Sequence, residues 1–414
     1  MSRSRLTHIV LSVVLLILSS CVLSNVKTIP VTFPSKAPSG LVTLFGTLYL
    51  PASSKASGAV VLVHGSGPNN RNESIQNYYF LNTDARPDWV VPHCGVTGLN
   101  FNTFFELAMD LASNSNLIVL TYDKRTCCKG HEKCSECTID PITREYVSTC
   151  FYGCSPDNSP QQIDMNLLTL EDMALDAVNA LNYLATRDDV DVTRLALLGH
   201  SEGVNVVIRS TNIFNSDPSN IQKKARVTNV FLMNGVVYDY GNLLVDQYNR
   251  ITAKWQVMKK VCQDEDPTSP LIKNADQSIA ITNATSIALA QFFPQFKAGL
   301  YPIEWAYNIG AYVSGRFLKS AFEFASVEFM RKNLITLQLD SNKPFVCSLN
   351  SQTDMNIQPP EYAQLIQVMK ERDANRTMAQ EINYLTHFDT PSDLSSQYIV
   401  PNVKSLIRFC LTKN

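Results

Sequence analysis

The chain carries little charge of either sign. Charged residues make up 17% of its 414 residues, and 35 basic side chains against 37 acidic ones leave a net charge of −2. No basic field exists that would bind a nucleic acid, and no long run of like charge predicts a charged tail. Internal repeats and low-complexity segments are absent as well. Since 45% of the residues are hydrophobic, the composition predicts a folded chain with a sizeable core.

Long hydrophobic runs are absent too, except at the N-terminus. There the positive stretch MSRSR precedes the ten-residue apolar run Ile9–Leu18 and then small or neutral residues. This order is typical of a secretory signal peptide, which we place at residues 1–24. A membrane anchor is an alternative, but the run is short for a span, and Cys21 in LSSC also resembles a bacterial lipoprotein box. We expect a secreted or secretory-lumen protein with no stable membrane span after signal removal.

The cysteine content fits an exported protein. Of eleven cysteines, Cys21 leaves with the signal and ten remain, seven of them between Cys94 and Cys154. In an oxidising compartment this density predicts disulfides. The segment Cys127–Cys137 includes a C-x₂-C pair and His131, so zinc is the alternative there; we expect disulfides and no metal. Acceptor triplets for N-glycosylation, which mildly favour a eukaryotic secretory route, begin at Asn72, Asn283 and Asn375.

Apolar runs alternate with amphipathic segments along most of the chain. Strands are predicted for LVTLFGTLYLP, AVVLVHGSGP, LIVLTYD, RLALLG and VTNVFLMNGV, and helices for FFELAMDLASN and LTLEDMALDAVNALNYLATR. Such alternation predicts an α/β fold with a doubly wound, mostly parallel sheet. Ligands bind outside the carboxyl ends of the strands in sheets of this kind.

Two segments interrupt this pattern and divide the predicted core into residues 25–236 and 343–414. Residues 126–165 hold six cysteines and predict a disulfide-rich loop insertion. Residues 237–342 contain helical stretches such as RFLKSAFEFASVEFMRKNL and predict a helical cap insertion. For most cap aromatics, among them Phe292, Phe293, Trp305 and Tyr312, we expect a place in the core of the helical layer. An acyl pocket lined by them is the alternative.

The stretch LALLGHSEG, Leu195–Gly203, places a serine at a sharp turn from strand to helix. Gly199 and Gly203 avoid crowding the neighbouring backbone, so the turn presents the Ser201 hydroxyl at the top of the sheet. The start of the following helix favours negative charge there. With only 16 glycines in the chain, this spacing seldom arises by chance, and it predicts that Ser201 is a nucleophile.

Histidine is scarce, and this limits the choice of base. Six histidines occur, and only His387 follows Ser201. Because the order in this class of sheet is serine, acid, histidine, we predict that His387 is the base. His200 is adjacent to the nucleophile and cannot reach its hydroxyl.

The acid must lie between serine and histidine in the sequence. Asp354 follows the apolar run PFVCSLNSQ, at the carboxyl end of the resumed sheet, so geometry favours it. Asp340 precedes that strand, Asp373 ends a helix, and Asp389 is better suited to capping a turn.

Two backbone donors are needed for an oxyanion hole. One is the N–H of Glu202, the residue after the nucleophile. The HGSGP loop supplies the other through Ser66, with Gly65 as a neighbour that could share the role. Loss of one such donor typically costs roughly 3–4 kcal/mol of transition-state stabilisation.

Together these motifs resemble the α/β-hydrolase superfamily. Within it they are similar to the esterase group with an HGSGP loop and a GHSEG elbow, which borders the serine aminopeptidase (S33-like) hydrolases. The resemblance covers Leu41–Arg125 and Leu167–Gly235 well. It implies an α/β-hydrolase fold, a Ser201–Asp354–His387 triad and hydrolysis of carboxylic esters.

The chain departs from the family pattern in three places. Thr126-Cys127-Cys128 opens the cysteine-rich insertion where a glycine is usual, Val204 stands where a second glycine is usual, and the segment before His387 is only generally similar.

We therefore predict a secreted serine hydrolase that acts on an acyl ester or other small-molecule ester through an acyl-enzyme, without a cofactor. A serine aminopeptidase-like enzyme, anchoring the substrate amine through Glu304 or Glu323, is the alternative. A non-catalytic binding protein of the same fold is a third possibility.

Overall fold

The computed structural model describes residues 26–53, 56–78, 94, 99–127, 142–145, 150–152, 161–235, 237–309, 312–336, 343–352, 354, 356–371, 374–382, 385, 387 and 398–413. The predicted signal peptide and most of the cysteine-rich insertion lie outside these ranges. So do the alternative acids Asp340, Asp373 and Asp389.

An eight-stranded sheet forms the centre of the molecule. The described strands are β1 (Lys27–Ala37), β2 (Gly40–Leu50), β3 (Ala59–Val63), β4 (Ser74–Tyr78), β5 (Leu99–Asn102), β6 (Ile118–Tyr122), β7 (Cys150–Tyr152), β8 (Gln161–Ile163), β9 (Leu195–His200), β10 (Val227–Met233), β11 (Ala306–Asn308), β12 (Tyr312–Ser314), β13 (Phe345–Ser351) and β14 (Thr377–Ile382). The order across the main sheet is β1-β2-β6-β3-β9-β10-β13-β14. In this sheet β2 pairs antiparallel with both of its neighbours, and the other five pairs are parallel.

Helices cover both faces of this sheet. The described helices, including those of the predicted cap, are α1 (Thr103–Ser115), α2 (Leu170–Leu184), α3 (Gly203–Ser216), α4 (Pro218–Gln222), α5 (Tyr240–Glu265), α6 (Pro270–Lys297), α7 (Gly315–Phe324), α8 (Val327–Thr336), α9 (Pro359–Lys370) and α10 (Pro401–Thr412). Alternate residues of β3 face opposite layers: Val61 packs in one core cluster with residues of α2, α3 and α9, and Leu62 in another with residues of α1 and α10. Buried on both sides, such strands are continuous apolar runs.

The predicted α/β-hydrolase fold, a doubly wound and mostly parallel sheet, is confirmed. Strand β1, however, is not apparent in the sequence, because Pro30 and Pro34 argue against a strand. The two prolines are tolerated because β1 is at the edge of the described sheet, where β2 is its only partner among the described strands. The last strand of the sheet, β14, begins at Thr377 and ends at Ile382, in the part of the chain before His387.

The two longest helices, α5 and α6, pack against each other within the predicted cap. Phe293, Phe296 and Leu318 form a buried apolar cluster there, which fits the expectation for most cap aromatics. The stretch predicted as one helix is two, α7 and α8. Ser326 causes the break, since its hydroxyl accepts the N–H of Phe329 at 3.1 Å and caps the new helix.

Two disulfides connect distant parts of the described chain. Cys94 is bonded to Cys262 in α5, and Cys347 in β13 to Cys410 in α10. Among the described residues, no helix is long and apolar enough to cross a bilayer.

Candidate active site

The turn between β9 and α3 holds Ser201 in a left-handed conformation. Its φ of 55° is uncommon for a residue other than glycine. A Cβ at Gly199 would lie 2.3 Å from the carbonyl oxygen of Gly203, and a Cβ at Gly203 would lie 2.3 Å from that of Val63. Only glycine fits at both positions, so the close packing around the turn maintains the strained serine.

Val204, the residue that departs from the family pattern, packs against another glycine. A Cβ at Gly235 would lie 2.2 Å from Cγ2 of Val204. The valine is accommodated because Gly235, just after β10, leaves room for its side chain.

Asp354 and His387 form a buried pair at the carboxyl end of β13. Asp354 Oδ2 lies 2.6 Å from Nδ1 of His387, and the two residues are 0% and 4% exposed. The other carboxylate oxygen, Oδ1, accepts the N–H groups of Asn356 and Ile357 at 2.7 and 3.2 Å. The carboxylate is thus held by backbone donors while it orients the imidazole. Because β9 and β13 both pair in parallel with β10, the Asp354–His387 pair and the Ser201 turn lie at the same end of the sheet, beyond the carboxyl ends of these strands.

The HGSGP loop passes directly beside the nucleophile. A Cβ at Gly65 would lie 2.9 Å from Cβ of Ser201. The N–H of Gly65 is already used, since it donates to Oε1 of Glu73 at 2.8 Å. The N–H groups of Ser66 and Glu202 make no hydrogen bond with another described residue. Of the two loop residues considered, Ser66 is therefore the one whose N–H is available to a substrate.

Lys124 fixes the peptide unit that carries the Ser66 N–H. Its Nζ donates to the carbonyl oxygen of Gly65 at 2.9 Å, and Asn69 Nδ2 donates to the same oxygen at 3.1 Å. In a trans peptide the C=O and the following N–H point in opposite directions. Lys124 also pairs with Glu202 at 3.0 Å, so this lysine links Gly65, the residue before one predicted oxyanion donor, to Glu202, which is the other.

A cavity of about 430 Å³ extends from Ser66 and Glu202 to the cap. Its walls are largely apolar, and they include Met165 and Leu168 from the core side and Tyr312 from the cap. The two phenylalanines considered for an acyl pocket do not line it; Phe293 is buried in the cap cluster and Phe292 packs against that cluster.

The sequence alone did not predict that Glu73 and Lys124 belong to this site. It also did not predict that His200 makes hydrogen bonds within the site. Glu73 is 2% exposed, with Oε1 2.9 Å from Nδ1 of His200. One feature of the sequence could have drawn attention to Glu73, because it is the first acidic residue of the chain and closely follows the HGSGP loop. Its partners lie far away in the sequence, so only the folded structure identifies them.

His64, the first residue of that loop motif, is buried and neutral. Burial lowers its pKa to about 4, and the positive charge of Lys124 acts in the same direction against the attraction of Glu73. The ring packs edge-on to Tyr122, with 5.2 Å between centroids.

Comparison with known proteins gives structural similarity only. No protein-family model matches the chain, and no curated protein matches its sequence. A Pyrobaculum calidifontis esterase is 14% identical with a TM-score of 0.46, over 93% of this chain and 85% of that one. A Pyrococcus furiosus esterase is 11% identical with a TM-score of 0.45, over 94% and 93%. A Pyrococcus horikoshii acylaminoacyl peptidase is 12% identical with a TM-score of 0.47, over 96% of this chain but 43% of the peptidase.

Proposed function

We propose that the protein is a serine hydrolase that cleaves carboxylic esters through an acyl-enzyme. One observation carries this proposal. Asp354 and His387 form a buried pair, with 2.6 Å between Oδ2 and Nδ1, at the same carboxyl end of the parallel strands as the strained Ser201 turn. Acyl transfer by a serine hydrolase needs a serine in a left-handed backbone conformation and a histidine paired with a carboxylate, both at the carboxyl ends of the parallel strands.

In the proposed reaction, Ser201 Oγ attacks the ester carbonyl carbon while His387 accepts the hydroxyl proton. Asp354 keeps Nδ1 of His387 protonated and stabilises the imidazolium. The carbonyl oxygen becomes an oxyanion, which accepts hydrogen bonds from the N–H groups of Ser66 and Glu202. His387 then gives its proton to the leaving alcohol. Water, deprotonated by His387, attacks the acyl-enzyme and releases the acid and free Ser201.

The lining of the cavity favours an ester substrate with an apolar group over a peptide substrate with a free amine. Glu202 is the only carboxylate among the described residues lining it, and Lys124 offsets that charge. Glu304 is half exposed and lies 3.7 Å from Arg316, and Glu323 lines a different cavity. Neither of the predicted amine anchors therefore faces this cavity, so the aminopeptidase alternative lacks its substrate anchor there.

A fluorophosphonate probe tests the nucleophile. We expect the wild-type protein to be labelled and Ser201→Ala not to be, while Ser66→Ala, which keeps its backbone N–H, is the matched control and is labelled. Labelling of Ser201→Ala would contradict the assignment. Turnover of p-nitrophenyl esters in preference to aminoacyl-naphthylamides would then support the esterase over the peptidase.

We also propose that the protein is secreted. The N-terminal sequence and the disulfides Cys94–Cys262 and Cys347–Cys410 support this, since such bonds persist in oxidising compartments. Asn283 and Asn375, two of the glycosylation acceptors, are exposed. Expression of the full chain in a eukaryotic secretory host should yield protein in the medium whose N-terminus lies near residue 25. Retention of the apolar run on the recovered protein would contradict signal cleavage.

A further inference from the structure

Two buried residues, Glu73 and His200, lie between the HGSGP loop and His387. Oε1 of Glu73 accepts the Gly65 N–H at 2.8 Å and lies 2.9 Å from Nδ1 of His200. The other ring nitrogen of His200, Nε2, lies 2.9 Å from the carbonyl oxygen of His387. A continuous path of hydrogen bonds therefore joins the backbone of residue 65 to that of residue 387.

The surroundings of His200 determine its protonation state. A carbonyl oxygen can only accept, so Nε2 must carry a proton. Burial raises the pKa of Glu73, but the charge and hydrogen bond of His200, together with smaller contributions from His64 and the Gly65 N–H, bring that pKa below its ordinary value. The ionised Glu73 oxygen then accepts from Nδ1 as well as from Gly65. Both ring nitrogens are protonated, and the two residues form a carboxylate–imidazolium pair.

Each end of this pair contacts a backbone group next to a proposed reacting group. Gly65 precedes Ser66, and its carbonyl is fixed by Lys124, so Glu73 and Lys124 together hold both peptide units of Gly65. At the other end, the rings of His200 and His387 lie with centroids 4.6 Å apart. Glu73 itself has a φ of 48°, a left-handed conformation that non-glycine residues adopt mainly where surrounding structure or function requires it.

We propose that the Glu73–His200 ion pair positions the two halves of the site relative to each other. It fixes the Gly65 peptide and the His387 backbone at one separation, so that the Ser66 N–H and the His387 imidazole serve Ser201 together. This inference rests on the function proposed for Ser201. Both residues act through the backbone of others, so they are positioning residues and not catalytic ones.

Glu73→Gln tests the charge of the pair. The amide oxygen can still accept from Gly65, but a neutral His200 has one ring proton for two acceptors. We expect kcat for p-nitrophenyl butyrate to fall about 30- to 100-fold, since small misplacements cost about this much, while KM changes less than about twofold. The matched control is Glu106→Gln, because Glu106 also accepts a backbone N–H, from Ile399, and pairs with a lysine. It should keep the wild-type kcat.

Substitutions of His200 separate its two contacts. Glutamine places an amide nitrogen near the Nε2 position and can still donate to His387, whereas asparagine places one near Nδ1 and can still donate to Glu73. We expect both His200→Gln and His200→Asn to lower kcat at nearly constant KM. If the pair acts as a unit, the double variant Glu73→Gln/His200→Gln should be no slower than the slower single variant.

The outcomes separate this inference from the proposed function. Wild-type protein without Ser201-dependent turnover would overturn both. Ser201-dependent turnover together with wild-type kcat in Glu73→Gln and both His200 variants would overturn the positioning inference alone. Additive effects in the double variant, or loss of folding by circular dichroism at the assay temperature in all three single variants, would also overturn it in favour of a purely structural role.

Discussion

Gly65 and Ser201 are in direct contact, with space for no side chain between them. A Cβ at position 65 would lie 2.9 Å from the serine Cβ and 3.4 Å from Oε1 of Glu73. We expect Gly65→Ala to lower kcat at least about 100-fold by displacing the loop. The free energy of unfolding should fall by roughly 1–3 kcal/mol from overpacking. Steady-state kinetics and urea denaturation measure both quantities, and unchanged kinetics would show that this contact is not needed for turnover.

Ser66 offers a separate test of the oxyanion hole through its backbone alone. Ser66→Pro removes the N–H, and we expect kcat to fall about 10²- to 10³-fold, as for other lost oxyanion donors. Ser66→Ala retains the N–H, and its kcat should stay within about twofold of the wild type, because the Ser66 hydroxyl has no part in the proposed reaction. Equal kinetics in the two variants would assign the donor to another residue.

Asp354→Asn should separate catalysis from folding. The asparagine oxygen can still accept from Asn356 and Ile357, so we expect little change in the melting temperature. The new amide donates to Nδ1 of His387 and favours the wrong tautomer, so kcat should fall about 10⁴-fold. A melting temperature many degrees lower would mean that the Asp354 charge mainly stabilises the fold.

His64 predicts how stability depends on pH. Its folded-state pKa of about 4 is below the unfolded value of about 6.5, so acid protonates the unfolded chain first. The free energy of unfolding should therefore fall as the pH drops below about 6.5, and the loss ends near the folded pKa. Between pH 7 and 5 this histidine should account for a loss of about 2 kcal/mol. Urea denaturation of wild type and His64→Asn at both pH values measures it, and equal losses in the two proteins would refute it.

Local patterns were enough to predict the central strands and the turn at Ser201. Strands such as β3 and β9 are buried on both faces, so their positions are apolar or small, apart from His200 at the end of β9, and the pattern is easily recognised. The close approach of Gly199 to Gly203 also follows from the motif itself. His387 was a matter of elimination in a histidine-poor chain.

Features that depend on distant partners could not be read in this way. Glu73 and His200 are 127 positions apart, and nothing in either local sequence indicates that the other neutralises it. The cap stretch RFLKSAFEFASVEFMRKNL was predicted as one helix, whereas the structure begins a new helix after Ser326. The Ser326 side chain bonds to nearby backbone groups and so ends one helix and starts the next, and a pattern of apolar residues does not reveal such a bond.

The prolines of strand β1 affect whether folded molecules of this protein can associate through the edges of their sheets. Pro30 and Pro34 are four residues apart, so in an extended strand their nitrogens face the same way. As neither can donate to β2, both lie along the outer edge of the sheet. That edge lacks two of the N–H groups which a strand of another molecule would need, so it is a poor template for edge-to-edge aggregation at high concentration.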